Sequence, residues 1–87
     1  MATVIIPAPL RVFSNGESKA EVPGATLGAL LRALDDRYPG IYDRVVAEGR
    51  VRPELAIAID GEAASYSLHE PLRPNADITI IPAIGGG

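Results

Sequence analysis

Thr26-Leu27-Gly28-Ala29-Leu30-Leu31-Arg32-Ala33-Leu34 places leucine at 27, 30, 31 and 34, the i, i+3, i+4, i+7 spacing that gathers apolar side chains on one face of a helix. Thr26 stands where its hydroxyl can accept a hydrogen bond from an otherwise unpaired first-turn amide. Asp35, Asp36 and Arg37 leave the apolar pattern, and Pro39 disfavours helical geometry at Tyr38, so the helix is predicted to end near Arg37. Ile41, Val45 and Val46 predict one further helical turn, closing near Gly49.

On either side of this helix the pattern is that of strands. Upstream, Thr3 to Ile6 is β-branched and stopped by Pro7 and Pro9, and Leu10 to Phe13 leads out into a Ser14-Asn15-Gly16 turn. Lys19 to Val22 alternates polar and apolar up to Pro23-Gly24 and suits a hairpin partner for that first strand. Downstream, Leu55, Ile57 and Ile59 alternate with Ala56 and Ala58 and end at Asp60-Gly61, a strong turn signal because Gly accepts positive φ without steric cost. Ala63 to Tyr66 is a weak further strand, Ser67 to Pro74 an irregular connection, and Asp77 to Ile81 a clear last strand. The order predicts an α+β fold, a mixed sheet packed on one main helix.

Length and composition narrow the function. At 87 residues there is room for one small domain, which buries only about 60 to 65% of its unfolded surface. A self-contained enzyme with a deep pocket is not expected. Eleven Asp+Glu against eight Lys+Arg give a net charge of −3, which leaves no field to hold a nucleic acid by counterion release. With no cysteine, disulfides, thiolate metal ligands and a nucleophilic thiol are all excluded. The opening MATVIIPAPLR has no basic leader, and nowhere do about 18 apolar residues run together, so no membrane partner and a cytoplasmic location are expected.

The end of the chain carries the functional signal. Gly85, Gly86 and Gly87 cost conformational entropy and bury nothing, so they do not serve stability. A chain without Cβ atoms can thread a channel too narrow for side chains, and residues 83 to 87, fully extended, reach roughly 17 Å. The organisation expected is a folded domain over 1–84 and a flexible tail over 85–87. The Gly87 carboxylate is then a deliverable group.

Asp77-Ile-Thr-Ile-Ile-Pro-Ala-Ile-Gly-Gly-Gly87, following Gly24-Ala-Thr-Leu-Gly-Ala-Leu-Leu31 and Ile59-Asp60-Gly61, resembles the sulfur-carrier family that includes the small subunit of molybdopterin synthase and the thiamine-pathway carrier ThiS. The resemblance covers nearly the whole chain and implies the β-grasp fold of ubiquitin. It departs from the family where Asn75-Ala76 precede Asp77 in place of a common Gly, a shift Asn can absorb because it tolerates left-handed geometry. The length and the opening Ile6-Pro7-Ala8-Pro9-Leu10-Arg11 look most like the molybdopterin-type carriers or the longer carrier that feeds a cysteine synthase.

The family's chemistry, carried over, makes Gly87 the residue that is adenylated and then converted to a thiocarboxylate, with Gly85 and Gly86 threading the partner's channel. A carboxylate with a pKa of about 3.5 is anionic at neutral pH and a poor acyl electrophile, and the chain has no G-x-x-x-x-G-K-[ST] loop to bind a nucleotide. ATP and magnesium therefore belong to a ubiquitin-activating-type adenylating enzyme. The carrier binds no cofactor or metal, has no catalytic residue of its own, and is monomeric when free. The second implied partner is a sulfur acceptor, either a pyridoxal-phosphate cysteine synthase or the large subunit of molybdopterin synthase. A ubiquitin-like modifier conjugated through Gly87 is the alternative, but Lys19 is the single lysine and limits chain formation to one site.

Phe13, Pro82 and Ile84, with Leu10, are expected near the root of the tail, where a partner grips, with ordinary core as the other reading of Leu10 and Phe13. Arg44, Arg50 and Arg52 are either a basic patch for an acidic partner or scattered solvation. His69 has no cysteine or second histidine to make a metal site or triad, and Asp35 and Asp36 project about 100° apart on a helix, which suits a solvated end rather than paired acid–base work.

Overall fold

The computed structural model describes residues 1–82. In chain order the elements are β1 (Ala2–Ile5), a 3-10 turn (Ala8–Leu10), β2 (Lys19–Val22), α1 (Leu27–Arg37), α2 (Ile41–Val45), β3 (Val46–Ala47), β4 (Arg50–Val51), β5 (Leu55–Ile59), β6 (Glu62–Ala64) and β7 (Asp77–Pro82). Five strands form one sheet in the order β2-β1-β7-β5-β6, and β3 pairs with β4 in a separate small hairpin. β1 runs parallel to β7 with Val4 opposite Ile78, while every other pairing is antiparallel. This is the mixed sheet on one main helix that the sequence predicted.

α1 begins where its sequence says it should. Thr26 Oγ1 accepts from the Ala29 amide at 3.2 Å, and the helix gives way at Tyr38, whose φ of −130° and ψ of 83° lie outside the helical region that the following proline disfavours. Leu27, Leu30, Leu31 and Leu34 are at most 1% exposed and share one core with Val4, Ile57, Ile78 and Ile80 from the three central strands and with Ile6 just beyond β1. Each such side chain removed from water contributes about 1.5 to 3 kcal/mol. Gly24 allows the chain to pass this close to α1: a Cβ there would lie 2.5 Å from the Leu30 Cα.

Turn chemistry fixes the register. Asp60 and Gly61 both adopt positive φ, 51° and 88°, and join β5 to β6 as a two-residue hairpin. Asn75 takes φ 63° ahead of β7, as its tolerance for left-handed geometry allows.

Three sequence expectations change. The helical turn starting at Ile41 ends at Val45, not near Gly49. Glu48 and Gly49 take φ 53° and 77° and turn the chain into the β3–β4 hairpin. The weak strand expected over Ala63 to Tyr66 spans Glu62–Ala64, because Tyr66 turns back and donates its hydroxyl to the Glu62 carbonyl at 2.7 Å. Asp35 is more than a solvated end, for its Oδ1 accepts from the amides of Gly40 and Tyr42, both at 3.0 Å, and so fastens the start of α2.

Candidate functional site: the root of the tail

β7 is the central strand of the sheet, and its two ends are treated differently. At the start, Thr3 donates to the Ala76 carbonyl at 2.9 Å, Asp60 donates to the Asp77 carbonyl at 2.8 Å, and the Asp77 amide returns a bond to Asp60 Oδ1 at 3.0 Å. Arg73 reaches the other Asp60 oxygen at 3.1 Å. The Asp77 amide first, and the Arg73 guanidinium second, hold the Asp60 carboxyl below its ordinary value, and the same pairing raises the pKa of Arg73. This end of β7 is locked.

The far end is open. Pairing with β1 stops at Thr79, opposite Ile5, while pairing with β5 continues to Pro82, opposite Leu55. Proline has no N–H to extend the ladder. The last residues of β7 are therefore paired with β5 alone, at the end of the sheet where β1 gives way to the β1–β2 connection.

Of the residues expected at this root, Pro82 is there, half-buried as the last residue of β7. Leu10 is core, 7% exposed. Phe13 is half-buried beneath a cation: the Arg44 guanidinium lies 5.1 Å from its ring centroid. Ile84, Gly85, Gly86 and Gly87 lie outside the described residues, as does the boundary between domain and tail.

The three arginines have different surroundings. Arg44 covers Phe13, Arg52 donates through Nε and Nη2 to the Asp43 carbonyl at 3.0 and 2.8 Å and closes the end of α2, and Arg50 is exposed on β4. Arg50 and Arg52, but not Arg44, line one recess of about 760 Å³ together with Leu55. Sequence reading missed this recess and the hairpin that walls it. The available signal was Glu48-Gly49 between Val46-Ala47 and Arg50-Val51, a short two-residue hairpin pattern. His69 is exposed, and among the described residues no cluster of His, Cys, Asp and Glu could hold a metal ion. No helix among them is long and apolar enough to cross a membrane.

Comparison with known proteins agrees with this architecture. Residues 4–87 match the ThiS family. The sulfur carrier protein CysO of Mycobacterium tuberculosis is 31% identical over 90 residues, covering 98% of this chain and 97% of that protein. A chain of the crystal structure of the Amycolatopsis orientalis BexX/CysO complex superposes with a TM-score of 0.92 at 30% identity, covering 100% of both chains. The small archaeal modifier protein 3 of Haloferax volcanii is 26% identical over 65 residues, covering 72% of this chain and 71% of that one.

Proposed function

The chain belongs to the ThiS family, and from that membership we propose that it is a sulfur carrier whose Gly87 carboxylate is activated and replaced by a thiocarboxylate. The observation that carries the reading is a family match that runs through to Gly87, together with a named sulfur carrier aligned over 98% of the chain. The carboxylate oxygen attacks the α-phosphorus of ATP on a partner enzyme, and pyrophosphate leaves. A sulfur nucleophile then adds to the acyl carbonyl and expels AMP.

The carrier's contribution is geometric. It holds the root of the tail on β7 while Gly85 to Gly87 enter the partner, and it leaves catalysis to that partner. The acceptor favoured by the similarity to CysO is a cysteine-forming enzyme that uses pyridoxal phosphate. The similarity to an archaeal modifier supports a second reading, amide formation between Gly87 and a lysine of a target protein.

The test is mass spectrometry of the intact chain after incubation with its activating enzyme, ATP, magnesium and a sulfur donor. The expected product has one oxygen replaced by sulfur, and deletion of Gly87 abolishes it with the melting temperature unchanged. Sulfur gained by the truncated chain overturns the reading. Adducts that need Gly87, survive denaturing electrophoresis and resist thiol reagents favour the modifier.

A further inference from the structure

The recess beside Pro82 and Leu55 has a charge that does not match the chain's. The protein carries eleven Asp+Glu against eight Lys+Arg, yet among the described residues the lining holds two guanidinium groups and no carboxylate. Arg50 and Arg52 stand on one wall. Val51, Leu55 and the ring of Tyr66 supply an apolar surface that the fold leaves half-exposed, and Ala64 of β6 is exposed. Tyr66 is fixed by its bond to the Glu62 carbonyl, so its ring is a standing wall of the recess. The carboxylate of Glu54 approaches Arg52 to 3.8 Å but is not part of the lining, and Arg50 has no acid partner among the described residues.

Position adds to charge. Leu55 is at once part of the recess and the residue opposite Pro82, the last of the described residues. The recess thus lies one strand away from the point at which the described chain ends. At about 760 Å³ the space is of the size that takes several side chains.

Resting on the carrier reading above, we propose that this recess docks an apolar, acidic segment of the activating enzyme, with a bulky side chain against Leu55 and Tyr66 and a carboxylate facing Arg50 and Arg52. The exposed guanidinium of Arg50 suits this role because its fork matches a carboxylate and its weak hydration lowers the cost of burial, while Arg52, whose Nε and Nη2 are held by the Asp43 carbonyl, adds positive charge beside it. The contact secures the globule while the glycines reach the catalytic centre, so it acts on binding rather than on chemistry.

The experiment is steady-state ATP–pyrophosphate exchange by the activating enzyme, with the full-length chain varied as substrate. Arg50→Glu and Ala64→Arg are each expected to raise KM for the carrier about tenfold and to leave kcat within about twofold. Lys19→Glu, an equal charge change on the opposite edge strand β2, is expected to move KM by less than about twofold. Arg52 is left intact because it closes α2. Unchanged melting temperatures establish that both recess variants fold. A normal KM in both recess variants overturns the proposal, as does an equal rise in Lys19→Glu, which would signify bulk charge. A concentration-dependent dimer of the free chain that Ala64→Arg abolishes places a second copy in the recess and also overturns it. Absence of exchange with the unmodified chain overturns the carrier reading as well, whereas normal exchange with indifferent variants overturns this inference alone.

Discussion

The two ends of β7 are built on opposite plans. Its start is tied down by two amide–carbonyl bonds and by a carboxylate that takes both the Asp77 amide and Arg73. Its finish is held by β5 alone and closes on a proline opposite Leu55. Around the start, polar groups satisfy one another; around the finish, Arg50 stays exposed, Arg44 rests on a half-buried ring and a recess is left open. The difference teaches how a domain this small can present its chain end to another protein. Polar ties are concentrated where the strand enters, so the exit is free to be shaped for contact.

Substitutions at the two ends should separate stability from recognition. The largest loss of stability is expected from Ile78→Ala, which empties a fully buried site between Val4 and Ile59 at the anchored end and should cost about 3 to 4 kcal/mol by denaturant unfolding. Gly24→Ala comes next, because the new Cβ meets the Leu30 backbone at 2.5 Å, a clash worth about 2 to 3 kcal/mol in the same assay.

Asp60→Asn keeps a residue that tolerates the φ of 51° but removes the charge that fastens Asp77 and Arg73. Its effect should depend on pH in a defined direction. The carboxyl of Asp60 is depressed in the folded chain, so its contribution is complete above the unfolded value of about 3.9 and disappears as pH falls through the folded value. The melting temperature of Asp60→Asn should lie below that of the unmodified chain at neutral pH, and the gap should close as pH falls through the lowered folded value of Asp60. A gap that persists undiminished in acid would mean that the carboxylate is not the anchor. The smallest effect is expected from Arg44→Ala at the open end, about 0.5 to 1 kcal/mol for the lost contact with Phe13. A loss as large as that of Ile78→Ala would break the contrast between the ends.

How far the sequence revealed this depends on how local each feature is. The cap at Thr26, the stop before Pro39 and the Asp60-Gly61 turn are readable because each is decided by residues within a few positions of itself. The leucine face of α1 is readable because four side chains repeat one spacing. β3 and β4 have two residues each, too few for any period to register, and Gly49 was as good a helix stop as a hairpin turn. Asp35 binds amides five and seven residues away, beyond the reach of capping rules that look within one turn. The recess combines three separate stretches, 50–53, 55–57 and 63–67, and only the pairing of β5 with β6 brings them together. For Phe13 and Leu10 the sequence left core and contact surface both open; burial assigns Leu10 to the core and leaves Phe13 between the two, under Arg44.

Because β1 and β7 run in the same direction, with Thr3 beside Asp77, the amino terminus lies at one pole of the sheet and Pro82 at the other. The six residues of β7 separate the two poles by roughly 20 Å. A fluorophore or affinity handle joined ahead of Met1 would thus sit away from Pro82 and the recess, and immobilising the protein through that handle would present its tail-bearing pole outward, already oriented for capture from solution.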